Sequence, residues 1–181
     1  MPYVTLKWAS SADGWLDSDR ADGSGPMKFS APLGSVLVHL MRSRNDAVMV
    51  GSGTVLADDC RLDVRLVEGR SPRRVVVDRR GRVPDEAAVL RGGDTILIRD
   101  YPNLSELLEN LYNKGVTSLM VEGGATLLRE FLRLGLWCEA RVEQCPCLLG
   151  TRGRGYMPMP EGVVKSVRYL GNNLIYTIFH G

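Results

Sequence analysis

Four short runs in this chain are almost wholly apolar: "DAVMVGS" at 46–52, "RRVVVD" at 73–78, "DTILIRD" at 94–100 and "TSLMVE" at 117–122. A strand with no polar face has to be covered on both sides, a condition that belongs to parallel sheets sandwiched between helices. The helices are legible too. Leu33, Val36, Leu37, Leu40 and Met41 recur at three- and four-residue spacing. Leu104, Leu107, Leu108 and Leu111 do the same, as do Leu127, Leu128, Phe131 and Leu132. Asn103 or Ser105 can cap the second of these helices, and Gly115 ends it. "YVTLKWA", near the N-terminus, reads as a further strand.

Beyond residue 137 the pattern changes. In "CEARVEQC" polar Glu139, Arg141 and Glu143 alternate with Cys138, Ala140 and Val142, the mark of a half-exposed strand. "VVKSVRYLGNNLIYTIFHG" holds two β-rich runs around Gly171-Asn172-Asn173, which predicts a hairpin. The expected fold is α/β: a mixed sheet, mostly parallel, with an antiparallel C-terminal hairpin and helices on both faces. One domain, 1–181, accounts for the length.

Bulk properties narrow the function classes. Twenty-three basic residues against 21 acidic ones give a formal net charge of +2, no footprint for nucleic acid. No apolar run approaches the roughly 20 residues of a membrane span. "MPYVTLKWAS" lacks the apolar core of a signal peptide, so a cytoplasmic protein is expected. None of the four cysteines forms a C-x-x-C pair, and there are only two histidines. No metal centre is expected, and a Ser-His-Asp hydrolase is hard to build.

Chemistry concentrates where strands end. Glu122-Gly123-Gly124 joins an apolar strand to a helix. Such a junction aims backbone N–H groups and a partial positive charge at whatever lies above the strand, and glycine lets a ligand approach closely. Thr126 can add a hydroxyl. A tight turn that needs glycine explains Gly-Gly equally well. Glu122 shifts the balance, because a carboxylate beside a phosphate cradle is costly unless it serves ligand hydroxyls or a ring N–H. Neither G-x-G-x-x-G nor G-x-x-x-x-G-K-[ST] occurs.

A second glycine exit, Gly51-Ser52-Gly53-Thr54, is followed by Asp58, Asp59 and Arg65. Two such exits from neighbouring strands could flank one crevice, the alternative being a flexible turn with solvated charges. "SSADGWLDSDRADGSGPMKFS" at 10–30 reads as a loop long enough to be functional. Arg79, Arg80 and Arg82 follow a strand end, where arginine suits a ribose 2′-phosphate and a basic turn is the plain alternative. Asp78 is a weak candidate for the acid that an NAD site would use.

Three blocks then fall into a known order. "SADG" near residue 13 is the first. "VHLMRSRNDAVMVGSGTVLADDCRLDVR" through "RRVVVDRRGRVP" is the second, and "VEGGATLLREFL" followed by a strand and "CPCLLG" is the third. Over most of the chain they resemble the pyrimidine-phosphate reductases of riboflavin biosynthesis, which have a dihydrofolate-reductase-like fold. The resemblance implies an NADPH-dependent oxidoreductase acting on a ribosylaminopyrimidine 5′-phosphate. Hydride would reach C1 of the opened sugar and give the ribitylamino product.

Carried over by position, the resemblance puts Ser10, Lys28, Thr54, Asp58, Gly123, Gly124, Ala125, Thr126 and Leu127 on the cofactor. Arg79 joins them on the reading above. Ser30, Arg42, Leu62, Arg65 and Glu122 fall on the substrate side, the two arginines on its phosphate. Asp58 or Glu122, or a water held by them, would handle the proton. Without the family, Arg42 reads as solvated and Arg65 as half of a surface ion pair.

A homodimer built through the C-terminal strands, Val163 to Phe179, is also implied. The H-x-E and P-C-x-x-C signature of the zinc deaminase carried by bifunctional members is absent, so a reductase alone is expected. Cys60 stands where the family has proline, and "LGLWCEARVEQCPCLLG" fits in shape rather than wording. Two other readings therefore stay open. One is a reductase of a related heterocycle in a specialised pathway, the other a non-catalytic nucleotide-binding homologue.

Overall fold

The first strand of the chain, β1 (Tyr3–Ser10), runs through the middle of the main sheet. It pairs in parallel with β6 (Ser118–Gly123) on one side and β7 (Glu139–Gln144) on the other. Outward from β6 lie β3 (Ala47–Gly51), β4 (Arg73–Val77) and β5 (Thr95–Ile98), all parallel. Beyond β7 the sheet turns antiparallel through β10 (Asn173–Phe179) and β9 (Val163–Leu170). The order is β5-β4-β3-β6-β1-β7-β10-β9. These relations come from a computed structural model, which describes residues 1–21 and 23–181.

Four helices connect the strands: α1 (Pro32–Ser43), α2 (Ser52–Asp58), α3 (Leu104–Asn113) and α4 (Ala125–Leu134). Asn103 caps α3, accepting from the Glu106 amide at 3.0 Å and donating back to the Glu106 carboxylate at 2.8 Å. Leu108 and Leu111 of α3, with Leu128 and Phe131 of α4, cover one face of the sheet against Leu6, Trp8, Leu119, Val121 and Val142. Each such side chain contributes roughly 1.5–3 kcal/mol on burial. Val48, Val50 and Val76 build a second core on the opposite face, with Val55 of α2, Leu62 and Val83.

That opposite face changes character at the centre. One position beyond the Leu6–Val121 pair stand Lys7 and Glu122, and Ala9 pairs with Glu143. Three adjacent strands thus present Glu122, Lys7 and Glu143 where aliphatic residues would complete the core. α1 lies against this polar strip: a Cβ on Gly34 would stand 2.9 Å from either carboxylate oxygen of Glu143.

Two segments differ from the sequence reading. The 10–30 loop contains a strand, β2 (Trp15–Ser18), paired antiparallel with β8 (Gly153–Tyr156). Its partner lies some 135 residues away, so no local pattern announces it. Trp15 lies flat on Gly153, where a Cβ would approach its ring to 2.2 Å, and meets Tyr156 edge-on at 5.4 Å. The second glycine exit is a helix, α2, which stops at Asp59 in the left-handed region (φ 41°). The C-terminal hairpin forms as expected, although Asn173 belongs to β10 and is buried.

Candidate active site

Glu122-Gly123-Gly124 carries β6 into α4. A Cβ on Gly123 would fall 2.9 Å from Oγ1 of Thr54 and 3.3 Å from Val50, so α2 can pack here only against glycine. Gly124 adopts φ +78°, which an L side chain resists. The tight-turn reading holds. The same turn leaves the amides of Ala125, Thr126 and Leu127, the first residues of α4, without a carbonyl one turn back. They carry the positive end of the helix dipole.

Below this turn opens a cavity of about 330 Å³, within the range of small-molecule sites. Glu122, Gly123, Gly124 and Ala125 line one wall, and Gly53, Thr54 and Asp58 of α2 another. Lys7 and the Asp17, Arg20 and Met27 side of the early loop close it. The two glycine exits do flank one crevice, as the sequence suggested.

Its charges are specifically paired. Arg42 forks onto Glu122, Nε to Oε1 and Nη2 to Oε2, both at 2.6 Å, and Nη1 donates to the Asp63 carbonyl at 3.1 Å. Both side chains are about one-tenth exposed (11% and 10%). Burial alone would lower the Arg42 pKa, but the hydrogen bonds and charge of Glu122 more than offset it and hold the guanidinium charged. Lys7 behaves differently. Burial pulls its pKa below that of an ordinary lysine, with Arg42 adding to the effect and Glu122 and Glu143 opposing it. Among the described residues none hydrogen-bonds its ammonium.

Glu143 is 3% exposed and accepts from Ser30 Oγ (2.7 Å), the Ala31 amide (3.0 Å) and Asn173 Nδ2 (2.7 Å). It ties the end of the early loop and the start of α1 to the C-terminal hairpin. Neither Lys7 nor Glu143 was singled out from sequence. A lysine inside an otherwise apolar strand was the available signal, because lysine is seldom buried without a reason. Glu143 gave none, since alternation placed it on an exposed face.

Of the residues singled out from sequence, the cavity gathers Thr54, Asp58, Glu122, Gly123, Gly124 and Ala125. Asp58 is held by Arg20, which also donates to the Ala57 carbonyl at 3.0 Å and pairs with Asp17. Leu127 turns its side chain into the core, leaving its amide on the cradle, and Thr126 is exposed on the outer flank of α4. Arg79 stands just past β4 with its guanidinium 4.9 Å from the Tyr101 ring centroid. Asp78 beside it is fully buried and accepts the Arg82 and Val83 amides at 2.9 and 3.0 Å, so its carboxylate is committed to the turn.

The others lie apart. Ser10 is buried on the helix-covered face, and Lys28 is exposed next to the lining residue Met27. Ser30 faces Glu143, as described above. Leu62 is buried in the second core with φ +54°. Arg65 pairs with Asp63, and its amide donates to Nδ1 of His39 at 3.0 Å. Both candidate phosphate-binding arginines are therefore engaged with carboxylates, Arg42 with Glu122 and Arg65 with Asp63.

A mostly parallel sheet with a helix N-terminus and a cleft at its carboxyl ends defines an α/β protein whose cleft has the chemistry to receive a phosphorylated ligand. The pattern of the RibD C-terminal domain matches residues 2–175, and the chain belongs to that family. The 2,5-diamino-6-ribosylamino-4(3H)-pyrimidinone 5′-phosphate reductase of Methanothermobacter thermautotrophicus is 35% identical over 98% of each chain. That of Archaeoglobus fulgidus is 33% identical over 92% of this chain and 90% of its own length. The riboflavin biosynthesis protein RibD of Mycobacterium tuberculosis is 40% identical over 83% of this chain, which spans 44% of that protein.

Among solved structures, the Thermotoga maritima diaminohydroxyphosphoribosylaminopyrimidine deaminase/5-amino-6-(5-phosphoribosylamino)uracil reductase superposes with a TM-score of 0.87 at 27% identity. It is matched over 99% of this chain and 57% of that one. The architecture is the dihydrofolate-reductase-like α/β fold of these reductase domains.

Proposed function

We propose that this chain, as a single reductase domain, reduces a ribosylaminopyrimidine 5′-phosphate to its ribitylamino product with NADPH, in riboflavin biosynthesis. The two archaeal relatives matched over nearly their whole length favour the 2,5-diamino pyrimidinone as substrate, so that reduction precedes deamination. The observation that carries the reading is the placement of Lys7, an ammonium with no hydrogen-bond partner among the described residues, in a cleft that also holds a helix N-terminus suited to an anion.

The residues present fit NADPH. The cradle amides suit a pyrophosphate, and the position of a Gly53 Cβ has no atom within 4 Å, leaving room for a ligand. Arg79 suits a 2′-phosphate, while Asp78 is unavailable to a 2′-hydroxyl. When bound, the cofactor supplies the hydride. Thr54 and Asp58 line its side of the cleft. Glu122, oriented by Arg42, accepts from substrate hydroxyl or ring N–H groups. Lys7 gives the proton that balances hydride addition at the C1=N bond, delivering it to the nitrogen. Arg65, which is half exposed, has the reach to leave Asp63 for the substrate phosphate.

The sheet edge supports a homodimer. Val163, Val164, Val167 and Tyr169 of β9 are exposed, Tyr169 at 80%, and an uncovered apolar edge strand invites pairing. A cytoplasmic location is consistent with the described helices, none of which is long and apolar enough to cross a membrane.

The test mixes purified protein and NADPH with the ribosylaminopyrimidine phosphate in its amino and deaminated forms and follows loss of reduced-nicotinamide absorbance. Consumption with the amino form is expected. Consumption with neither, despite measurable NADPH binding, rejects the assignment.

A further inference from the structure

At the opposite end of the parallel strands from the cleft, two adjoining cavities of about 470 and 360 Å³ open where β4 and β5 begin. They share Arg70, Ser71, Pro72 and Arg73. Seven cations and three carboxylates line them, a local excess of four in a chain whose formal net charge is +2. That concentration has no counterpart in a cleft built for catalysis, and β4 alone separates the two ends by roughly 15 Å at strand rise.

The cations divide into fixed and unfixed groups. Arg74 is 5% exposed and donates to the carbonyls of Val89, Arg91 and Gly92 at 2.8–3.2 Å, so it is a rigid buried floor charge. Arg73 is held by Asp94 at 2.7 Å and the Lys114 carbonyl at 2.9 Å. Arg70 and Arg91 are exposed, and no described residue accepts a hydrogen bond from either guanidinium. Arginine forks without acceptors, at the rim of a concave site with a buried cation beneath, present the geometry that grips phosphate oxygens. Concavity favours a small ligand over a nucleic-acid backbone.

The basin is also wired to the cleft. Arg61, on its wall, pairs with Asp63 at 3.1 Å. Asp63 also holds Arg65, and its carbonyl accepts from Arg42, the partner of Glu122. An anion that draws Arg61 away changes the charge balance on Asp63, two contacts from Glu122.

We infer that this basin binds a small, multiply charged phosphate anion, with Arg70 and Arg91 as its mobile clamps, and that occupancy alters the cleft through Asp63. The second half rests on the reductase reading; the first does not. The test titrates inorganic pyrophosphate calorimetrically into the full-length protein, against chloride of matched ionic strength. Arg70→Ala/Arg91→Ala is the variant, with Gly124→Ala as a control at the cradle. Binding weakened at least tenfold by the arginine pair and unchanged by Gly124→Ala is expected. Equal affinity in parent and arginine variant, loss with Gly124→Ala instead, or no binding at all overturns the site.

With turnover first established without pyrophosphate, saturating pyrophosphate should change the substrate KM at least twofold in the parent and not in the arginine variant. Binding with no such change overturns the coupling. Absent turnover from the start counts against the reductase reading and leaves the calorimetry to decide the site.

Discussion

Two buried carboxylates stand on the same face of the sheet, two strands apart, and are stabilised by opposite means. Glu122 is matched by a full guanidinium in a two-pronged fork. Glu143 is held by a hydroxyl, a backbone amide and a carboxamide, with no formal cation among its hydrogen-bond donors. Lys7 lies on the strand between them. An ion pair neutralises its carboxylate locally, whereas dipoles leave the field of the charge intact. Both carboxylates still support the Lys7 ammonium, Glu122 more strongly than Glu143, which does so while contacting the loop. Arg42 sets the orientation of Glu122 toward the cleft.

Removing either set of donors breaks this contrast, with unequal cost. Arg42→Ala leaves Glu122 buried without its counterion, and denaturant titration should show a loss of about 3–5 kcal/mol. If instead the variant is as stable as the parent, Glu122 is solvated and the pair is not a unit. Lys7→Met should leave the fold intact and lower kcat by roughly 10²–10⁴, the range for a general acid. The pH profile sharpens the point. Burial lowers the pKa of Lys7, so the ammonium is lost at lower pH than an ordinary lysine, and the alkaline fall in kcat should begin correspondingly early. In the folded state this group binds fewer protons than in the unfolded state, so its contribution to stability improves as pH rises through that range.

Glu143→Ala leaves the Ser30 hydroxyl, the Ala31 amide and the Asn173 carboxamide without their acceptor. A loss of about 1–3 kcal/mol is expected, expressed in the substrate KM through the loop, and an unaltered melting temperature would rule this out. The smallest effect is at Arg79, where alanine should reduce the preference for NADPH over NADH by about tenfold, or ~1.4 kcal/mol, in paired KM measurements.

The parallel sheet, its helices and both glycine exits were legible because each is written locally, as an apolar run or a three-four spacing. The cap at Asn103 and the stop at Gly115 were legible for the same reason. β2 was not, because Trp15 finds Gly153 only across the whole fold. Asp58, Glu122 and Gly123 could be nominated by position. What they touch could not: the fork from Arg42 to Glu122 spans 80 residues, and Ser30 reaches Glu143 across 113. Alternation classed Glu143 as exposed because it says which face a residue takes, not whether a helix such as α1 will cover that face.

The central position of β1 has a consequence for how the chain is made. Among the described residues β1 pairs with β6 and β7, so residues 3–10 must wait for 118–144 to be synthesised. At the usual rates of translation that interval is on the order of ten seconds. During it the apolar face of β1, Leu6 and Trp8 included, has no sheet to join. Nascent chains of this protein should therefore bind chaperones, and ribosome-stalled fragments that end before residue 118 should show no protection of the first strand from protease.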